Sequence, residues 1–317
     1  MKCITYFLQR LGLLQVELNV PKFVHIPLAT HKDEAVRCPH CSSGDIYGHG
    51  TCKGRRRYRC KSCQKSFNDF TGTAVSGIRK TEKFEEYLNL MVESLTIRKA
   101  SAAPGVNMKT VFDWRHKILS SLSALNGESF GGIVECDDRQ VDMSGKGSRK
   151  LTRQPYERHS DRTAKKGAGN DRVSLPVATD RKGNPAMQAA KVGRMDVKSM
   201  ERTIEKYTGK QNVLCPDSHP SIVAWALDRS LEHHAFVASK QHVKDCCYHV
   251  RHVNSMDNQY ERWMKSFVGV VTKYLPSYLN WFIFLGKMKQ SSQKAMDMAK
   301  IVLSSAGALM DYRAIER

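Results

Sequence analysis

Apolar residues in the first half of the chain recur at helical spacing between residues 80 and 123. A first helix is predicted by Phe84, Tyr87, Leu88, Met91 and Leu95. A short helix, a turn containing Gly105 and a second helix from about Asn107 follow, an order typical of a helix-turn-helix. Asn107 is the expected N-cap, and the expected core face of that last helix is Val111, Ile118 and Leu119. The alternative is a three-helix packing module without DNA contact.

After a linker at residues 126–132, strands replace helices. Strands are predicted at residues 133–138, 173–179, 187–192, 213–217 and 234–238, with a turn at residues 180–184. Helices are predicted from the N-cap Asp196 to about Tyr207, over residues 221–230, and from about Asn254. This β-β-β-α-β-α-β order with a long final helix is that of an RNase H-like sheet. A flavodoxin-like α/β domain is the alternative, but three consecutive strands argue against strict βαβ alternation.

Carboxylates occur where two of these predicted strands end. Residues 133–138 run from Ile133 into Asp137 and Asp138, and alternation places Glu135 and Asp137 on one face. Asp217 ends a later strand, and Asp257 lies on the long helix. Buried carboxylates need a cation, hydrogen-bond donors or a raised pKa, so a metal-carboxylate site is expected.

Two Mg²⁺ ions about 3.5–4 Å apart suit phosphodiester cleavage, because they orient the attacking oxygen and stabilise the leaving one. Asp137 is the expected bridging ligand, with Asp217 on one ion and Asp257 on the other. Asp138 and Glu135 are alternatives near the first ligand, and Glu261 is the alternative for the third. If no metal binds, Asp217 is expected to be a helix N-cap and Asp257 a solvated helix acid.

Two Cys-x-x-Cys pairs lie near the N-terminus, Cys38 with Cys41 and, eighteen residues later, Cys60 with Cys63. This spacing predicts a closed tetrahedral zinc site of structural type in a zinc ribbon. Cys52 is a spare cysteine, His40 and His49 are competing ligands, and Tyr58 and Phe67 are expected packing aromatics.

The composition favours a polyanionic partner, since 51 Lys and Arg against 31 Asp and Glu give 317 residues a formal charge of +20. Double-stranded DNA is the expected partner rather than a membrane, because no apolar run approaches the length of a membrane span. Ten cysteines without an export signal predict a reducing, cytoplasmic location. The expected DNA contacts are Arg55, Arg56, Arg57, Arg59, Lys109, Thr110, Arg115 and Lys117.

Taken together, the pattern predicts a multidomain protein of mixed α+β and α/β class. The expected segments are an N-terminal arm (1–36), a zinc ribbon (37–79), a helix-turn-helix (80–125), an RNase H-like domain (130–288) with a basic insertion (144–170), and a C-terminal helix (289–317). An aromatic stripe of Tyr274, Tyr278 and Trp281 is expected to be core.

Over roughly residues 36–285 the chain resembles insertion-sequence transposases with an N-terminal zinc ribbon and an ISXO-like DDE catalytic domain. The resemblance is carried by both Cys pairs and by the residue runs 112–119, 134–138, 217–219 and 252–265, with 273–275. It implies Mg²⁺-dependent cleavage at element ends and transfer of the freed 3′-OH to target DNA. Asp137 and Asp217 match the first and second acids. Asp257 stands where the family usually has Glu, and Asp-Arg-Gln follows Asp137 where Glu-Thr-Tyr is common.

The sequence therefore predicts a DNA transposase that acts as a homo-oligomer on DNA. A non-catalytic DNA-binding regulator with a decayed catalytic domain is the alternative, and the departure at Asp257 favours it. An RNA-directed nuclease is a third possibility, but two modules typical of duplex-DNA binding argue against it.

Overall fold

The computed structural model describes residues 36–52, 54–122, 128–146, 172–236, 243–244 and 247–304. Predictions for the arm before residue 36, for most of the basic insertion and for the chain after residue 304 lie outside these residues. The chain divides into two compact units. One contains the residues up to Val111 together with Gln293–Ala306, and the other contains Phe112–Ser292.

The first unit begins with a three-stranded antiparallel sheet of β1 (Ile46–Cys52), β2 (Arg55–Cys60) and β3 (Ser66–Phe67). The predicted aromatic packing is confirmed, because Tyr58 and Phe67 are paired across β2 and β3 and their rings stack 5.5 Å apart. The buried core of this sheet is small and consists of Cys38, Cys60 and Phe67.

Three helices follow, α1 (Thr81–Val92), α2 (Ile97–Ala102) and α3 (Met108–Ser121). The predicted apolar face of α1 is buried at Phe84, Leu88 and Met91, and the last described helix, α8 (Lys294–Ser304), packs against α1. The predicted N-cap is confirmed, since the Asn107 side chain accepts a hydrogen bond from the Lys109 backbone N–H at 2.8 Å. Gly105 adopts a φ of +59°, as a left-handed turn residue does.

The second unit is built on a six-stranded mixed sheet. Its strands are β4 (Ile133–Asp142), β5 (Arg172–Asp180), β6 (Pro185–Met187), β7 (Lys191–Val192), β8 (Val213–Pro216) and β9 (Glu232–His233). Their order is β6-β5-β4-β8-β9, with β7 also paired to β5. β4, β5 and β6 are antiparallel neighbours, whereas β8 and β9 run parallel to β4. The first and fourth predicted strands are therefore adjacent at mid-sheet.

Helices cover both faces of this sheet. On one side α4 (Val197–Thr203) and α5 (Pro220–Asp228) supply Met200 and Trp225 to a core with Val134 and Leu214. On the other side α6 (Arg251–Lys265) and α7 (Leu275–Lys287) supply Val253 and Leu279, among others, to a second core. β5 is buried on both faces, which explains its nearly continuous apolar sequence.

The predicted elements are present with corrected boundaries. β4 continues four residues beyond Asp138, because β5 pairs with it as far as Asp142. The predicted strand 187–192 is two short strands, β6 and β7, each paired separately with β5. β9 covers Glu232–His233 and so ends before the predicted strand 234–238 begins, and within that stretch Phe236 forms an isolated bridge to Asp217. Helix α6 begins at Arg251, three residues early.

A predicted turn and a predicted helix cap in this unit are confirmed. The carboxylate of Asp180 accepts hydrogen bonds from the backbone N–H groups of Lys182 and Asn184, both at 2.9 Å, and so closes the predicted turn. Asp196 caps α4 by accepting from the Ser199 N–H at 2.9 Å. The aromatic stripe on α7 is core at Tyr278 and Trp281, while Tyr274 is half-buried beside His116, with ring centroids 4.2 Å apart.

Candidate active site and zinc centre

The two Cys-x-x-Cys pairs come together in the first unit. The sulfur atoms of Cys38, Cys41, Cys60 and Cys63 all lie within 4.8 Å of one another. Cys38 Sγ is 3.6 Å from Cys63 Sγ, and Cys41 Sγ is 3.5 Å from Cys60 Sγ. These separations are too long for a disulfide and close to the edge of about 3.8 Å in a tetrahedron with 2.3 Å zinc–sulfur bonds. The cluster therefore fits a structural zinc ion.

A backbone amide beside the cluster stabilises the thiolate of one of the four cysteines. The Cys63 backbone N–H donates to Cys60 Sγ at 3.5 Å, and this bond lowers the pKa of the Cys60 thiol to about 6. Cys38 and Cys60 are buried. Cys52, the spare cysteine of the sequence analysis, is exposed and lies outside the cluster.

Strand register brings Asp137 and Asp217 together in the second unit. Cys136 of β4 pairs with Pro216 of β8, and the Asp217 N–H donates to the Cys136 carbonyl at 3.0 Å. The two aspartates directly follow these paired residues on adjacent strands, whose spacing is about 4.8 Å. Sequence reasoning paired the same two acids.

This proximity changes the titration of Asp137. Burial raises the pKa of the Asp137 carboxyl to about 7, and the neighbouring charges of Asp217 and Asp257 act in the same direction. The Asp138 backbone N–H, which donates to Asp137 Oδ1 at 2.7 Å, partly opposes the rise. A cation next to this buried carboxyl would stabilise its ionised form.

The third predicted acid, Asp257, lies on α6 on the same side of the sheet as Val253 and Tyr260, which are buried. Its carboxylate accepts a hydrogen bond from Arg139 of β4, and Arg139 also pairs with Glu261 at 3.1 Å. Burial raises the pKa of Asp257 while Arg139 opposes that rise. Asp257 Oδ1 is buried without a hydrogen-bond partner among the described residues.

The three acids are less tightly clustered than the cysteines. Within the described ranges, two groups of three or more potential ligands gather within 4.8 Å, and Asp137, Asp217 and Asp257 are not one of them.

The alternative ligands have other contacts. Asp138 is bonded to Gln140 Nε2 at 2.9 Å and lies 3.7 Å from His219 Nε2. Glu261 is partly exposed and pairs with Lys265 as well as Arg139. The reading of Asp217 as an N-cap is wrong, since the N-cap of α5 is His219.

Glu135, which sequence reasoning offered as a spare metal ligand, instead receives donors from α6. It is 1% exposed, and its carboxylate accepts from the backbone N–H groups of His252 at 2.7 Å and Val253 at 3.0 Å. Arg181 Nη1 lies 2.7 Å away, and Glu135, His249 and His252 form the second group of close ligands. The sequence analysis missed this cluster, although the repeated histidines before the long helix were a visible signal.

The predicted DNA contacts differ in exposure. Arg56 and Lys109 are exposed, and Arg57, Arg59, Thr110 and Lys117 are half-buried. Arg55 lies over the Phe70 ring at 3.5 Å. Arg115 is only 1% exposed, with its guanidinium 5.1 Å above the Trp281 ring. This burial contradicts a DNA contact by Arg115, because α3 turns that side chain into an aromatic core.

No helix among the described residues is long and apolar enough to cross a membrane.

Fold and site together define a protein with a four-cysteine centre in one unit and an acid-bearing mixed sheet in the other. No protein-family model matches the chain. It is similar to the "Uncharacterized protein in transposable element ISH50" of Halobacterium salinarum, with 31% identity over 114 residues. That match covers 35% of this chain and 38% of the relative, so the chain spans well under half of the relative's length.

Two solved structures have a distant similarity. The "Crystal structure of a pre-cleavage Mos1 transpososome" is 12% identical, with 70% of this chain and 78% of that chain covered at a TM-score of 0.21. The "Crystal structure of the Mos1 Strand Transfer Complex" is 13% identical, with 58% and 77% covered at a TM-score of 0.20. TM-scores this low carry no argument about this chain.

Proposed function

We propose that the protein is a metal-dependent DNA transposase of an insertion element. In this proposal it binds the element ends, cleaves them to free a 3′-OH and joins that hydroxyl to target DNA. The observation that carries the proposal is the placement of Asp137 and Asp217 on adjacent strands, with Asp257 facing them from α6. The similarity to a protein of a transposable element favours the same function.

The sheet supports an RNase H-like assignment of the second unit. Strands β4, β5 and β6 form an antiparallel meander, and β8 and β9 run parallel to β4. The first acid is thus at mid-sheet on β4, the second follows β8, and the third comes from a later helix.

Asp137, Asp217 and Asp257 are the residues that would hold magnesium. When bound, two Mg²⁺ ions would supply charge stabilisation at the attacking and leaving oxygens. The raised pKa of Asp137 and the unpartnered Oδ1 of Asp257 both fit a divalent cation. Arg139 holds Oδ2 of the Asp257 carboxylate towards β4, which leaves Oδ1 as the oxygen that would contact a metal.

DNA is the proposed partner. The exposed side chains of Arg56 and Lys109 are suited to phosphate contacts, with Arg57, Arg59, Thr110 and Lys117 as half-buried neighbours. A zinc ion on the four cysteines would hold the arginine-bearing strand β2 in place. Oligomerisation on DNA, which brings two element ends together, belongs to the same proposal.

A non-catalytic DNA-binding regulator is the second candidate. One observation favours it, which is that Arg139 neutralises both Asp257 and Glu261 and so competes with a metal for the third ligand. In that case the protein binds its DNA specifically and never cuts it.

The test is a cleavage assay with purified protein, Mg²⁺ or Mn²⁺, and labelled DNA from either side of its own gene. We expect nicks at fixed positions, and a loss of more than about 100-fold in Asp137→Asn, beyond the range typical of outer-shell changes. DNA affinity should be retained in that variant. Asp228→Asn makes the same chemical change on an exposed side chain and should cut normally.

Specific binding without cleavage under either metal would support the regulator. Loss of DNA binding in Asp137→Asn would instead show that this aspartate is structural, and the proposed active site would be withdrawn.

A further inference from the structure

Helix α6 receives little capping from its own end of the chain, where the His249 ring accepts one long hydrogen bond, of 3.4 Å, from the Arg251 N–H. Its N-cap residue is Val250, which makes no side-chain cap bond. The first amides of a helix need acceptors, and its N-terminus favours negative charge. Glu135, from the neighbouring strand β4, meets both requirements by accepting from the His252 and Val253 N–H groups. The sheet thus caps the helix across 117 residues of sequence.

The rise per residue of helix α6 and of strand β4 relates the position of this cap to that of the acids. On α6, Asp257 lies one turn after Val253, a rise of about 6 Å. On β4, Asp137 lies two residues after Glu135 on the same face, a rise of about 6.6 Å. Because the two rises nearly match, a bond between Glu135 and Val253 brings Asp257 level with Asp137.

Arg139 completes the arrangement, because it is the next residue on that face of β4. It bonds to Asp257 and to Glu261, one further turn along α6. Asp137 therefore lies between two residues that tie β4 to α6. Arg139 touches a proposed metal ligand directly. Among the described residues, the Glu135 carboxylate is hydrogen-bonded to none of the three acids, so it would act through the helix.

The Glu135 carboxylate is surrounded by the side chains of Arg181, His249 and His252. Arg181 Nη1 lies 2.7 Å from Glu135 Oε1 and 2.8 Å from both His249 Nε2 and His252 Nδ1. His252 Nδ1 is 2.6 Å from the same carboxylate oxygen. The guanidinium places positive charge beside the Glu135 carboxylate, whose oxygens also accept from the helix amides.

We propose that Glu135 is a positioning residue for the metal site, which caps α6 and thereby holds Asp257 opposite Asp137. The proposal rests on the proposed function, since it assigns the carboxylates as ligands. It predicts that loss of the Glu135 charge weakens metal binding although Glu135 is not a ligand.

The test compares Glu135→Gln with wild type in the cleavage assay over a range of Mn²⁺ concentrations. We expect the Mn²⁺ midpoint to rise about 10–100-fold, as for other residues that orient metal ligands. Cleavage should recover at high Mn²⁺, and DNA affinity should not change. Hydrogen exchange at the first amides of α6 should be faster in the variant.

Asp196→Ala is the matched control, because Asp196 caps α4, which carries none of the three acids. This variant should lower the melting temperature and leave the Mn²⁺ midpoint unchanged. If Glu135→Gln also loses only stability, with an unchanged midpoint, Glu135 is merely structural and the proposal is overturned.

The zinc content of the protein tests the alternative that Glu135, His249 and His252 together bind a metal ion. Two zinc ions per wild-type chain, falling to one in Glu135→Gln, would make Glu135 a metal ligand with His249 and His252 and overturn the positioning role. One zinc ion in both proteins supports it.

If wild type does not cut DNA at all, the proposed function fails and direct Mn²⁺ binding replaces cleavage as the measurement. A weaker Mn²⁺ affinity in Glu135→Gln would then still support the positioning role. Equal affinities in the two proteins would overturn it.

Discussion

Asp137 is the residue whose chemistry is most altered by its surroundings. Burial and the charges of Asp217 and Asp257 raise its pKa from 3.8 to about 7. Near neutral pH the carboxyl is therefore protonated about as often as it is ionised. A metal ion that binds there displaces a proton, so metal affinity should increase as the pH rises through 7.

The same shift makes a prediction about stability without magnesium or manganese. The folded-state pKa lies above the unfolded value, so the ionised carboxylate destabilises the fold above about pH 7, and this cost is absent below pH 3.8. Asp137→Asn cannot ionise. We expect its melting temperature to exceed that of wild type at pH 8.5, by about 2–4 °C for each kcal/mol of cost removed, and the difference to shrink towards pH 5. A variant that melts below wild type at both pH values would contradict the raised pKa, and Asp228→Asn serves as the exposed control.

At the scale of elements, the two units hold their sites by different means. β4, β8 and α6 position the acids through strand register and helix packing around two sizeable apolar cores. Among the described residues, the small sheet of β1, β2 and β3 has a buried core of Cys38, Cys60 and Phe67, against which the partly buried Ile46, Tyr58 and Cys63 pack. So few buried apolar residues seldom stabilise a small sheet, and a bound metal ion usually supplies the missing stability.

Zinc content tests this difference. We expect wild type to contain about one zinc ion per chain and Cys60→Ser to contain almost none, because a four-thiolate site loses a ligand that is buried and has a lowered pKa. DNA affinity should fall with the zinc. Cys52→Ser changes an exposed cysteine outside the cluster and should keep both. Full zinc content in Cys60→Ser would rule out the assigned ligand set.

At the scale of the whole molecule, the formal charge of +20 makes association with a polyanion favourable and sensitive to salt. Charge alone does not say which cations contact phosphate. Lys109 is exposed near the start of α3, whereas Arg115 on the same helix is buried against Trp281.

A pair of alanine variants on α3 separates these roles. Lys109→Ala should reduce the slope of log affinity against log salt by about 1, the effect of one lost phosphate contact, with little change in stability. Arg115→Ala should lower the melting temperature and leave that slope unchanged, because it removes a buried side chain from an aromatic core. Salt titrations of DNA binding and thermal melts measure both. A reduced slope in Arg115→Ala would return that residue to the DNA interface.

Short-range patterns in the sequence determined much of this protein. The cysteine spacing predicted the four-sulfur cluster, and apolar periodicity predicted the buried faces of α1 and α3. Asn107 and Asp196 were recognisable as caps, since a cap bonds to amides two or three residues away. The acids that follow β-strand patterns also indicated that Asp137 and Asp217 would meet.

Only the tertiary structure decided what the remaining polar residues do. Arg115 became a core residue, Arg139 bonded to Asp257, and Glu135 became the cap of α6. The last two bonds join residues separated by 118 and 117 positions. Periodicity tells which face of an element is buried, but it contains no information about which distant charge will be packed against that face. That choice depends on how strands pair and helices dock, which is why it appears only in the folded chain.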